Sequence, residues 1–222
     1  MTSTRKQFIQ KVVARMDEVT PESSLNVIVD GFTDGTDSNP LYLLIDSIAD
    51  DCALELYSVA PYWRLPQTAF TNVLVEGTTS DTDSRKIIRL KLSDDFLRVA
   101  EISCEDFQRP ITEVFPEQSA EGRRQHNRYL MGKEAKPVGV LSFGLWNDDP
   151  CREIDCYSLA AGTTVTDSSV KASYIAKPGA AESVPEIVLP ALEWLTAARA
   201  FGARGDANHA AICQQNAQNL IV

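Results

Sequence analysis

Apolar residues recur at three- and four-residue steps near both ends of this 222-residue chain and at two-residue steps in its middle, and any fold must respect that change of period. Behind Thr4, a residue suited to capping a helix, Phe8, Ile9, Val12, Val13 and Met16 form one stripe, and the spacing predicts a first helix that Pro21 ends. Asn39 and Pro40 read as an N-cap and a first helical position; Leu41, Leu44, Ile45, Ile48, Cys52, Leu56 and Val59 follow as the buried stripe of a second helix. Pro61 and Pro66 break that pattern. From about 70 to 178, Ile88, Leu90 and Leu92 alternate with Arg89 and Lys91, and short runs at 138–143, 151–159 and 170–177 are bounded by turn formers, which predicts a small antiparallel sheet. Asp94 and Asp95 read as a turn, and the polar run at 117–130 as a loop or partly helical excursion. Helical spacing returns in Ile187, Ala191, Leu192, Leu195 and Ala198, with Pro190 in the first turn or at a kink. Gly202 and Gly205 stop this helix, and Asp206 caps a last one carrying Ala210, Cys213, Ala217 and Leu220.

Helices from both ends can meet only if the sheet is inserted between them. The expectation is an α+β fold: a four-helix bundle formed from both chain ends, with an inserted small antiparallel β domain. Residues 1–66 supply the N-terminal helices and an acidic loop, 67–180 the β domain, and 181–222 a C-terminal helical hairpin that completes the bundle.

Charge is unevenly distributed. The net charge is -10, yet residues 1–16 carry Arg5, Lys6, Lys11 and Arg15 and no acid, whereas 17–59 carry ten acids and no base. Such a stretch is either a solvated helix face with a loop or a surface for a partner that must not hold phosphate, and it argues against tight or sequence-specific nucleic-acid binding. The loop at 23–39, rich in Asp, Gly, Thr and Ser, has no assigned role. No apolar run approaches the roughly 18 residues a membrane helix needs, and the first residues lack the apolar region of a signal peptide, so a soluble protein made in a cytoplasm is expected. The odd count of five dispersed cysteines fits reduced thiols.

Signatures of chemistry are sparse. Neither G-x-G-x-x-G nor G-x-x-x-x-G-K-[ST] occurs, and Gly139, Ser142 and Gly144 have the wrong spacing for a nucleophile elbow. With His126 and His209 as the only histidines, metal hydrolysis and Ser-His-Asp catalysis lack parts; no catalytic, cofactor-binding or metal residues are assigned, and no cofactor is expected. Adjacent acids at Asp50-Asp51, Asp94-Asp95 and Asp148-Asp149 leave open a metal-dependent enzyme, and the β domain leaves open a carbohydrate-binding or adhesin-like module. Arg204-Gly205-Asp206 reads as a helix stop followed by a helix cap.

Several segments, taken in order, are similar to a known family. The opening TRKQFIQKVV at 4–13, LSDDFLRV at 92–99, RPITEV at 109–114, NRYLMG at 127–132 with KPV at 136–138, and the paired helices at 187–198 and 206–217 resemble the head–tail adaptor proteins of tailed bacteriophages, of the podovirus and crAss-like type. The resemblance implies a non-enzymatic virion protein in the tail below the portal vertex. It implies about twelve identical copies in a ring, with the portal on one face and the next tail ring or hub on the other. It implies passage of double-stranded DNA without sequence-specific binding, and no membrane. On that expectation Asp46, Asp50 and Glu55 are candidates for the channel wall, and Arg5, Lys6, Leu220, Ile221 and Val222 for contact with the portal or a neighbour.

Overall fold

The computed structural model describes residues 4–20, 39–77, 86–127, 129–160 and 162–221; the loop expected at 23–39 lies outside them except for Asn39. The chain divides into two compact units, Met1–Pro66 with Lys177–Val222, and Gln67–Ala176. The inserted unit ends with its last strand at Ala176.

The first unit is a four-helix bundle. Helix α1 (Arg5–Val19) opens on a reciprocal cap: the Gln7 amide donates to Thr4 Oγ1 at 3.3 Å and the Thr4 amide to Gln7 Oε1 at 3.1 Å. Its buried face is Phe8, Ile9, Val12, Val13 and Met16, the stripe read from the sequence. Helix α2 (Pro40–Val59) starts with Asn39 Oδ1 accepting from the Leu41 amide at 3.0 Å, and buries Tyr42, Ile45, Ala49, Cys52, Ala53, Leu56 and Tyr57. Val59, placed on the buried stripe by spacing, is instead exposed, because the stripe drifts around the helix and Tyr57 takes the last inward position. Helix α4 (Leu189–Ala203) follows the short α3 (Ala120–Gln125) of the other unit in chain order and has Pro190 in its first turn, where the missing amide hydrogen costs nothing. Ile187 precedes this helix and is exposed. Gly202 lies inside α4; the stop is Gly205, whose φ of 82° suits a residue without a side chain. Asp206 Oδ1 then accepts from the His209 amide at 3.2 Å to start α5 (Ala207–Ile221). Eleven of the fifteen α4 residues are buried, by α1, α2 and α5. A helix enclosed on this scale is the axis of its bundle.

The inserted unit holds two sheets where the sequence predicted one. Strands β1 (Thr68–Ala69), β8 (Lys171–Ala176) and β4 (Phe96–Ser103) form an antiparallel three-stranded sheet in the order β1-β8-β4. Strands β2 (Val73–Gly77), β3 (Lys86–Lys91), β7 (Asp149–Cys156), β6 (Gly139–Trp146) and β5 (Val114–Pro116) form a five-stranded one in the order β2-β3-β7-β6-β5. Its β5–β6 pair is parallel, a second departure from the antiparallel expectation. A parallel pair needs a long crossover, and the polar excursion supplies it: 117–138 carries helix α3 (Ala120–Gln125) between the two strands. Ile88, Leu90, Ile154 and Cys156 point into one cluster with Phe70, Phe96, Val99, Ile102 and Tyr174. The rings of Phe70, Phe96 and Tyr174 lie 4.9 to 6.2 Å apart.

Because Leu192 is fully buried at the centre of α4, truncation to Ala is expected to cost about 2–5 kcal/mol through lost transfer energy and a residual cavity. Urea denaturation followed by hydrogen exchange of the α4 amides checks this; a loss under 1 kcal/mol would mean that α4 is not the bundle's axis.

Candidate functional site

Three charge-bearing places stand out, two in the bundle and one in the inserted unit. The first unites residues that the sequence reading assigned to different surfaces. Arg5 donates from Nε to Asp46 Oδ1 at 2.7 Å, from Nη1 to Asp50 Oδ1 at 2.6 Å and Glu182 Oε2 at 3.2 Å, and from Nη2 to the Asp46 carbonyl at 2.6 Å. Desolvation of the guanidinium opposes its charge, but the hydrogen bonds to Asp46 and Asp50 outweigh it and hold the pKa above the ordinary arginine range. Partial burial likewise opposes ionisation of Asp50, and the Arg5 guanidinium and the Ala181 amide, 3.0 Å away, overcome it and hold the carboxyl below the usual range. This cluster pins the start of α1 to the middle of α2 and to the turn at Ala181–Ser183. Asp46 and Asp50 remain half-exposed. Glu55, on the same helix, accepts from Arg199 of α4 at 2.6 Å. Lys6 is half-buried. Leu220 is exposed, its carbonyl taking a 2.7 Å hydrogen bond from Arg64; Ile221 is half-buried, and Val222 lies outside the described residues.

The second place is a groove of about 1050 Å³ between α1 and the 182–190 segment, with Glu193 on its lining. Glu193 is 3% exposed and lies between Arg15 Nε at 3.1 Å and Lys11 Nζ at 3.6 Å, while the Arg15 guanidinium also rests 5.4 Å from the Trp194 ring. Both carboxylate oxygens are thus engaged, which makes Glu193 a tie between helices. A lone acid in an otherwise apolar helix, LPALEWLTAARAF, was the available sequence signal for it.

The third place is the face of the five-stranded sheet opposite its apolar core. Period two puts Glu153 and Asp155 of β7 on that face beside Arg89 of β3. Arg89 reaches Glu76 at 2.6 Å, Asp155 at 3.2 Å and Glu153 at 3.8 Å. Asp155 Oδ2 also accepts from Ser142 Oγ at 3.0 Å. Glu153, 3% exposed, lies over Gly144, where any side chain would collide with its carboxylate, and its Oε2 has no hydrogen-bond partner. Burial, with the neighbouring Asp155 charge, raises its pKa against the pull of Arg89.

The adjacent acids have structural work. Asp50 belongs to the Arg5 cluster; Asp95, in the turn before β4, accepts from the Tyr174 hydroxyl at 3.0 Å; Asn147 and Asp148, at φ of 52° and 67°, make the two-residue turn of the β6–β7 hairpin. Among the described residues, no group of three His, Cys, Asp or Glu side chains could hold a metal ion. All five cysteines are unpaired, and burial pushes the thiols of Cys52 and Cys213 up to about 11, away from thiolate reactivity at neutral pH. His209 Nδ1 pairs with Asp206 Oδ2 at 2.6 Å, and His126 stands 3.6 Å from Glu117. Neither a scan against protein-family models nor a search of curated proteins finds a match for this chain.

Asp50 and Glu153 carry opposite pH signatures. Asp50, depressed when folded, stabilises the protein above the ordinary aspartate value of about 3.9, and that contribution is lost as pH falls through its lower folded value. Asp50→Asn is therefore expected to cost roughly 1 kcal/mol or less at pH 7, discounted for exposure, and nothing at a pH below the folded value. Glu153, raised when folded, is a liability above its folded value. Glu153→Gln should stabilise β6 and β7 by about 1 kcal/mol at pH 7, with the gain vanishing below the ordinary glutamate value of about 4.3. Denaturation curves across pH, read by amide exchange in each unit, check both signs.

Proposed function

We propose that this chain is a structural virion protein, a head–tail adaptor that forms a ring below the portal and joins the capsid to the tail. The observation that carries the reading is architectural. Helices from both chain ends close one bundle around α4, with the β unit inserted between them, and this is the arrangement implied by the family the sequence resembles. The outward surface supports it as well. The bundle exposes Leu43, Leu54, Val59, Trp63, Ile212 and Leu220, and the β unit exposes Tyr129, Leu130, Phe143 and Leu145, apolar groups that ring contacts would cover.

In this role the chain performs no bond-making chemistry. Its subunits grip identical neighbours, the portal on one side and the next tail ring or hub on the other. The net charge of -10 lets duplex DNA pass without the counterion-releasing contacts a basic lumen would hold. The protein is made in the host cytoplasm and ends in the virion tail. Quantitative mass spectrometry of purified particles is expected to find about twelve copies per virion, matching the portal. Its absence from particles, or turnover of a small molecule by the purified chain, would overturn the reading.

The C-terminal Leu220, Ile221 and Val222 are proposed to dock on the portal or a neighbour. Leu220→Asp keeps the carbonyl that accepts from Arg64 while removing the apolar side chain. It is expected to weaken portal binding by about tenfold in a co-sedimentation assay, and undiminished binding would contradict the docking.

A further inference from the structure

We propose that successive copies of this chain join through one specific contact, in which the basic 123–136 segment of one copy seats on the outer face of α2 of the next. This deepens the ring reading by naming the subunit contact, and rests on that reading only for the closure of the ring.

The receiving surface is defined by residues that a solvated helix face does not need. Leu43 and Leu54 are 57% and 40% exposed and stand eleven residues apart, three turns, on one face of α2. Asp50 lies between them on that face and Asp51 flanks it, one turn before Leu54; α2 has four carboxylates and no base along its length. The Arg5 guanidinium binds Asp46 and Asp50; Asp51 lies outside its hydrogen bonds and is exposed. Two leucines amid these acids fit a covered face better than a bare wall washed by water and passing DNA.

The inserted segment has the complementary character. Between 123 and 136 an acidic protein concentrates five bases against one acid, Glu134. Arg123, Arg124, Lys133 and Lys136 are exposed, and beside them Tyr129 and Leu130 are 85% and 60% exposed. Its described residues on either side of Arg128 are held in shape in advance. Ser119 Oγ caps α3 by accepting from the Gly122 amide at 3.0 Å, and Gln125 donates to the Glu121 carbonyl at 3.0 Å while its Oε1 accepts from the Gly132 amide at 2.8 Å. A preorganised loop loses little conformational freedom on docking. Tyr129 and Leu130, adjacent in the chain, supply the apolar anchor for Leu54, and Arg124 meets Asp51, the α2 carboxylate held by neither Arg5 nor Arg199. The two surfaces differ, so the contact is head-to-tail, the type whose repetition closes into a ring.

Arg124 and Asp51 are both exposed, so exchanging their charges tests the contact without disturbing either core. Native mass spectrometry of the full chain at low ionic strength compares wild type, Asp51→Lys, Arg124→Glu and an equimolar mixture of the two variants, with circular dichroism confirming the fold of each. Wild type is expected to self-associate, less so as salt is raised; each variant alone should associate about tenfold more weakly, and the mixture should recover, because each reversed patch then finds its opposite. A wild type that stays monomeric, a variant that associates as wild type does, or a mixture that fails to recover would overturn the contact. So would binding of a duplex DNA oligomer that Arg124→Glu abolishes and Asp51→Lys leaves intact, since the basic segment would then serve phosphate. The adaptor reading fails separately: particles lacking the chain would refute it even if the charge exchange succeeded, and particles containing it would sustain it even if the exchange failed.

Discussion

The enclosure of α4 is the constraint on which the bundle depends. A helix with Leu189, Leu192, Leu195, Ala198 and Phe201 on one side and Ala191, Trp194, Ala197 and Ala200 around the rest cannot stand in water, and it needs α1 and α2 from the far end of the chain as well as its neighbour α5. Burial of these side chains, at roughly 25 cal/mol per Å² of apolar surface, therefore links residues nearly two hundred positions apart. The β unit can be inserted without disturbing this because the bundle closes on both sides of it.

Charge then fixes what packing leaves free. Apolar stripes tolerate sliding by a turn, whereas a guanidinium with three carboxylate partners does not; Arg5 sets α1 against α2, and Glu193 sets it against α4 through Lys11 and Arg15. The half-exposed Arg5 pairs add little stability and much register. Buried Glu153 works the other way, as a carboxyl with an unpartnered oxygen in a hairpin whose β6 strand carries the exposed Phe143 and Leu145.

Three of the four bundle helices are legible twice over, by a stripe and by a cap: Thr4, Asn39 and Asp206 all accept the amide hydrogens expected of them, whereas α4 has no side-chain cap and shows itself by its apolar spacing and by Pro190 in its first turn. The β unit was less legible. Strands of two and three residues, β1 and β5, are too short to carry a period, so the second sheet and the parallel pair left no trace in the hydrophobic pattern. The polar excursion was visible, but its purpose as a crossover follows only from the strands it joins. Among the functional candidates, the sequence separated Arg5 from Asp46 and Asp50 because nothing in a linear pattern shows that residues forty-one and forty-five apart meet. Glu153 and Asp155 stand as alternating acids in REIDC, but nothing there marks them as buried, because charge on a strand ordinarily faces water.

In the proposed role, the apolar groups presented outward on both units serve assembly. The most direct measurement is a cryo-electron-microscopy map of the intact particle at the portal vertex. The expected result is a ring beneath the portal whose repeating density accommodates the four-helix bundle and the two-sheet unit, with side chains of this sequence. Density there that traces a different polypeptide would contradict it.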